Sequence, residues 1–250
     1  MFADSCVDRI NTNKEVRRST CLVSWLGIID YQKSYALQKQ ILSGKLNNLQ
    51  QNTLLLLEHP PTITLGKSGK IENLLISEND LELKGIPIIH TDRGGDITYH
   101  GPGQLVIYPI IDLSEYGKNI HWYVFSLQEV AIRVLADFSI ESKRDNQYIG
   151  VWVNEKKIAA IGVAVHKWIT THGMALNIAP NMKHFDLINP CGIRDKGVTS
   201  MSQLLGKDIP IENVINSFVE RFSNVFNAQT KWVKPDFLEE LNDTKAACLV

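Results

Sequence analysis

Apolar and polar positions fall along this chain in blocks that predict a short series of elements. Cys21 to Ile28 reads as a first strand, and the apolar residues Tyr31, Tyr35, Leu37, Ile41 and Leu42 keep helical spacing behind it. Thr53 to Leu57 is a short apolar run stopped by His59-Pro60-Pro61, and Thr62 to Leu65 resumes an extended pattern. Ile86 to Thr91 reads as another buried strand. It delivers the chain into the segment RGGDITYHGPGQLVIYPIID, Arg93 to Asp112, whose second part, Gln104 to Ile111, is a long strand. A helix from Trp122 to Phe138 carries Phe125, Leu127, Val130, Val134 and Leu135 at helical spacing. Three extended segments follow, Tyr148 to Val153, Lys157 to Val165 and Thr170 to Ile178, the first two separated by the turn-like Asn154-Glu155-Lys156. A last helix, Ile211 to Phe226, sets Val214, Ile215, Phe218, Val219, Phe222 and Phe226 on one stripe, which is core packing.

Strands outnumber helices in this series and several are joined by short turns, which predicts an α+β domain built on a mixed sheet. With no internal repeat and no linker, the reading is one domain over 21–227. A poorly ordered extension is expected at 1–20 and a C-terminal tail at 228–250.

Composition narrows the classes of function. The 250 residues are 44% hydrophobic and 21% charged, the balance of a globular enzyme with room for a sizeable core. A net charge of −1 gives no bulk attraction for nucleic acid or an anionic membrane, so neither is an expected partner. No apolar stretch reaches the roughly 18 residues of a membrane span. Cys6, Cys21, Cys191 and Cys248 are far apart with no CxxC pair, which predicts neither a disulfide framework nor a metal site. Reduced thiols in the cytoplasm are the expectation, and a monomer is the default.

Candidate chemistry concentrates in two places. The glycine-rich start of the Arg93–Asp112 segment, with Tyr99 and His100 in its middle, reads as a cradle in which backbone approaches a ligand closely. Cys191, in Asn189-Pro190-Cys191-Gly192, sits on a turn where a thiol would be accessible, as a nucleophile requires. Its base is either a histidine (His59, His90, His100 and His172 are the candidates) or Lys157. Strand alternation puts Lys157, Ala159, Ile161 and Val163 on one face, and a lysine pointing inward there would be desolvated into a usable base. Cys6, Cys21 and Cys248 have no comparable setting and read as bystanders.

Four blocks together resemble one family. They are Leu57-Glu58-His59-Pro60-Pro61, then Arg93-Gly94-Gly95-Asp96-Ile97-Thr98-Tyr99-His100-Gly101-Pro102-Gly103-Gln104, then Lys157-Ile158-Ala159-Ala160-Ile161-Gly162-Val163. The last is Thr171-His172-Gly173-Met174-Ala175-Leu176-Asn177, running on to Asn189-Pro190-Cys191-Gly192. In this order, over about residues 21 to 205, they resemble the lipoyl(octanoyl) transferases. The resemblance implies the mixed sheet flanked by helices of the biotin/lipoate-protein ligase catalytic fold. It implies that octanoyl-acyl carrier protein is the donor. The acceptors would be lipoyl domains of 2-oxo acid dehydrogenase complexes and the glycine cleavage H protein, with no cofactor. Cys191 would be the acyl-accepting nucleophile and Lys157 the group that tunes or deprotonates it. Acyl-chain contacts would come from Arg93, Gly94, Gly95, Asp96, Ile97, Thr98, Tyr99 and His100, from Ala160, Ile161 and Gly162, and from Gly173, Met174 and Ala175. Glu155 departs from the pattern, standing where the family usually has glycine. The alternative on the same fold is an ATP-dependent lipoate- or biotin-protein ligase.

Overall fold

The structure, a computed structural model, describes residues 18–190 and 196–238. Cys6, Cys191 and Cys248, most of the expected N-terminal extension and the end of the tail lie outside the described residues. The first half runs β1 (Ser19–Ile28), α1 (Tyr31–Leu46), β2 (Asn52–Glu58), β3 (Thr62–Leu65), α2 (Glu78–Leu83), β4 (Ile88–His90), β5 (Ile97–His100) and β6 (Gln104–Ile110). Then come α3 (Ile120–Asp137), β7 (Lys143–Arg144), β8 (Val151–Val153), β9 (Lys156–His166), β10 (Ile169–Asn177), β11 (Gly197–Val198), α4 (Met201–Leu205), α5 (Ile211–Phe226) and β12 (Ala228–Trp232).

Among the described residues a main sheet runs in the order β12-β1-β2-β6-β10-β9-β8-β7, with β11 paired to β9; β4-β3-β5 form a smaller sheet. β1 pairs in parallel with β12 and with β2, the latter reached through the crossover helix α1. The centre, β2-β6-β10-β9, is antiparallel. The mixed sheet of the α+β reading is present.

Each face of the main sheet is covered. On one, α3 contributes Tyr123, Leu127, Val130 and Val134, and α5 contributes Val214, Phe218, Phe222 and Phe226, packed on Val23, Leu56, Ile107 and Leu176. On the other, Leu37 and Ile41 of α1 meet Leu55, Leu57, Val106 and Tyr108. The small sheet has its own core, in which Ile97 and Tyr99 pack with Ile63, Leu65, Leu81 and Phe185. Capping sets the helix starts: Asp30 accepts from the backbone N–H of Gln32 and Lys33, and Asn119 from that of Trp122. The Asn119 cap starts α3 two residues ahead of the expected Trp122.

Elsewhere local turn chemistry and distant pairing decide. The strand expected over Tyr148 to Val153 is shortened to Val151–Val153, because Asp145 Oδ1 accepts from the N–H of Gln147 and Tyr148 and folds that stretch into a turn. Ala228–Trp232, placed in the tail by the sequence, is an edge strand whose partner β1 lies some two hundred residues away. No helix among the described residues is long and apolar enough to cross a membrane.

The α5 stripe generates a stability prediction. Phe222 is buried and stacks on Phe226 with centroids 4.4 Å apart. Phe222→Ala should cost about 3–5 kcal/mol in urea unfolding. A loss below about 1 kcal/mol would show that the site collapses around the void.

Candidate active site

Between the main sheet and the small sheet lies a narrow cleft with a cavity volume of about 40 Å³. Its floor is the α1 face of β9 and β10. Ala160 pairs with Ala175 and Gly162 with Gly173, so four small residues lie side by side. Two of them have no alternative. A Cβ on Gly173 would sit 2.2 Å from the Ile107 carbonyl oxygen, and one on Gly162 would sit 2.8 Å from that of Gly94. Gly94 approaches so closely because its N–H donates to Val163 O at 2.9 Å, which straps the glycine-rich loop across the floor.

Arg93 sets the shape of that loop. Its buried guanidinium donates to Thr64 O (2.7 Å), Thr64 Oγ1 (2.8 Å), Asp96 O (2.8 Å) and Gly94 O (3.1 Å). Asp96 Oδ1 accepts from the N–H of Lys70 and Ile97, and Oδ2 from the Asn73 amide. Asn73 O in turn accepts from Asn189 N–H at 2.7 Å.

Lys157 reaches the cleft face through an irregularity. Val151 pairs with Ala159 and Trp152 with Lys157, so two residues of β8 stand against three of β9. This is a bulge at Ile158. Val151 and Ala159 belong to the core under α3 and α5. Trp152, the next residue, points to the opposite face, and Lys157 goes with it. The ammonium lies 5.0 Å from the Trp152 ring centroid. The face expected to hold Lys157 with Ala159, Ile161 and Val163 is therefore not its face; it shares that of Ala160 and Gly162. Beside it runs β11, with Val198 paired to Lys157 and Thr199 N–H donating to Lys157 O at 3.0 Å. Lys196, just before β11, pairs with Asp145 (2.5 Å) and Glu155 (2.9 Å), which gives the departure at Glu155 a structural partner.

Buried histidines and tyrosines build the wall. His59 Nδ1 faces the Ile29 carbonyl oxygen at 2.7 Å, so that nitrogen carries the proton, and Nε2 accepts from the Tyr108 hydroxyl at 2.9 Å. Likewise His100 Nδ1–H donates to Gln104 Oε1 at 2.7 Å. Burial pulls His59 down to about 4 and His100 well below its usual value, so both are neutral. His172 takes φ +57° inside β10, with its N–H donating to Gln38 Oε1 and Nε2–H to Asp92 Oδ1 at 2.7 Å. That bond and one from the Tyr35 hydroxyl hold the Asp92 carboxyl well below the usual carboxylate range, against the cost of burial. Tyr31 lies 5.0 Å from His59 between ring centroids, and burial pushes its hydroxyl up to about 12. Among the described residues no group of three or more His, Cys, Asp or Glu could hold a metal ion.

Residues 30–223 match the model of the lipoyl protein ligase A/B catalytic domain. The chain belongs to that family. It is similar to an octanoyltransferase of Caldicellulosiruptor saccharolyticus, 46% identical over 221 residues that cover 88% of this chain and 94% of the relative. An octanoyltransferase of Desulforamulus reducens is 42% identical over 220 residues, 88% of this chain and 96% of that one. Among solved structures, a putative lipoate protein ligase from T. acidophilum superposes with a TM-score of 0.71 at 16% identity, covering 90% of this chain and 93% of that chain. At such identity the likeness shows the fold: that of the lipoate-protein ligases.

Within this lipoyl protein ligase A/B fold the cleft gathers Arg93, Gly95, Thr98, His100, Ala160, Ile161, Gly162, Gly173, Met174 and Ala175. Ile161 and Met174 pack their side chains on the far face of the sheet and border the cleft by main chain. Other expected contacts lie elsewhere. Ile97 and Tyr99 alternate away from Thr98 and His100 into the core of the small sheet. Gly94 and Asp96 brace the loop. Tyr31, Val106, Tyr108 and His172 complete the lining. Of these, only His172 was singled out as a chemical candidate; Tyr108 is a hydroxyl in an otherwise apolar strand, a signal too weak to act on without its partner His59. Cys21 is buried, and burial pushes its thiol up to about 12, so it is inert.

The two neutral histidines generate a pH prediction. Above pH 6.5 neither is protonated in either state; as pH falls below it the unfolded chain binds protons that the folded protein refuses. Stability therefore drops toward pH 4, by about 1.4 kcal/mol per pH unit for each histidine. In urea unfolding at pH 7, 6 and 5, His59→Gln should flatten that slope by about one proton. An unchanged slope would mean that His59 takes up its proton while folded.

Proposed function

We propose that the protein transfers an octanoyl group from octanoyl-acyl carrier protein to the target lysine of lipoyl domains, through a thioester on Cys191. The Cys191 thiolate attacks the donor's carbonyl carbon. The bond to the carrier's sulfur breaks, and the carrier leaves as a thiol with the proton taken from Cys191. The acceptor's amine then attacks the acyl-enzyme's carbonyl carbon, an amide C–N bond forms, and the bond from that carbon to the Cys191 sulfur breaks. The proton lost by the amine returns to the cysteine. Lys157 carries the proton in both steps, a role typically worth about 10²–10⁴-fold. The donor is already activated, so no nucleotide enters.

What supports this reading above all is Lys157: a lysine turned onto the cleft face by a bulge, with β11, the strand that follows Cys191 in the chain, paired against it. The small-residue floor suits an alkyl chain. Relatives above 40% identity over most of the chain are octanoyltransferases, whereas the ligases, one of them bound with ATP, share only the fold at 14–16% identity. The acceptors are the lipoyl domains of 2-oxo acid dehydrogenase complexes and the glycine cleavage H protein, met in the cytoplasm by a monomer.

Incubation with octanoyl-acyl carrier protein and no ATP should give a single octanoyl adduct in the intact mass, absent in Cys191→Ala. Lys157→Ala should slow its formation by about 10²-fold or more. An adduct on another residue, an undiminished rate without Lys157, or strict dependence on ATP and free acid would each overturn the assignment.

A further inference from the structure

The floor of the cleft ends abruptly on one side. Ala160 and Gly162 on β9, and Ala175 and Gly173 on β10, leave the surface bare of side chains. The next strand in the sheet, β6, does not continue this. Val106 pairs with Ala175, and Tyr108 stands two positions further along the same face of β6. Tyr31, from the first turn of α1, borders the same end of the cleft. Lys157 lies beyond the opposite edge, three residues along β9 from Ala160 and so about 10 Å from it. Across the floor itself, from β9 to β6, two strand spacings give about 10 Å. An all-trans eight-carbon chain with C–C bonds of ~1.5 Å spans about 9 Å.

The side chains at that end are held from behind. Tyr108 donates to His59 Nε2, and His59 is anchored on the Ile29 carbonyl oxygen, with all three residues in or beside the core. The Tyr31 hydroxyl lies 3.5 Å from His172 Nδ1, whose ring is fixed by Asp92. A chain longer than the floor must displace a tyrosine from these bonds. Each added methylene returns about 0.8 kcal/mol of burial, less than the ~1–3 kcal/mol lost when a buried polar partner is left unsatisfied.

Resting on the acyl-transfer reading, we infer that Tyr108 and Tyr31 form an end wall that sets acyl chain length, with the methyl end of the chain against them and the carbonyl toward Lys157. They are specificity-determining residues that take no part in the chemistry. The wall thus selects medium-chain acyl groups and rejects long ones.

The test is kcat/KM for hexanoyl-, octanoyl-, decanoyl- and dodecanoyl-acyl carrier protein in the full chain, with far-UV circular dichroism of every variant. The wild type should peak at octanoyl. Tyr108→Ala, or Tyr31→Ala should the first not fold, should raise the dodecanoyl-to-octanoyl ratio at least tenfold. Val106→Phe, which fills the floor's last position, should move the optimum to hexanoyl. Folded variants whose ratios stay within threefold of the wild type overturn the wall and leave the transfer reading standing. A wild type that transfers none of the four overturns both.

Discussion

The cleft depends on one buried cation. The Arg93 guanidinium collects the carbonyl oxygens of Thr64, Gly94 and Asp96, so a loop rich in glycine holds a single shape against its own entropy. The Gly94 strap onto Val163, the close approach over Gly162 and the Asp96 contacts to Lys70 and Asn73 all follow from where that guanidinium places the backbone. Arg93 borders the cleft, yet most of its hydrogen-bonding capacity is spent on the protein. A lysine in its place would offer one ammonium where a planar fork now serves several acceptors.

The division of labour around the cleft follows from charge. His59 and His100 are kept neutral by burial, and the tyrosines hold their protons. An alkyl chain thus meets walls that bond to one another. Lys196, paired with Asp145 and Glu155, stands at the edge beyond Lys157. Lys157 and Lys196 both lie 5.0 Å from the ring centroid of the same indole, Trp152.

Much of this was legible in the sequence where the signal is local. The glycine-rich segment, the apolar runs that became β2, β6, β9 and β10, and the stripe on α5 each carry their pattern within a few residues. The small patch Ala160, Gly162, Gly173 and Ala175 could be located as two motifs, although only the register shows them side by side. What was not legible depends on distant partners. Tyr31 and Tyr108 border the cleft because His59 and His172 hold them, across separations of 49 and 141 residues. β12 exists because β1 offers an edge. The orientation of Lys157 was misread because strict alternation assumes an unbroken ladder, and nothing in Lys157-Ile158-Ala159 announces a bulge.

That bulge has an evolutionary consequence. With period-two alternation, the face a residue takes depends on an integer count from the nearest irregularity. Regular pairing with all four residues from Lys157 to Ala160 kept would turn the ammonium into the core under α3 and α5, whereas losing one residue together with the bulge would leave it two positions from Ala160 on the cleft face. The two-residue turn at Asn154–Glu155, outside that count, is free to change its length. Among descendants of this chain the bulge and its extra residue should thus be kept or lost together, with Lys157 and Gly162 unchanged on either side, so that length here changes only in step with pairing.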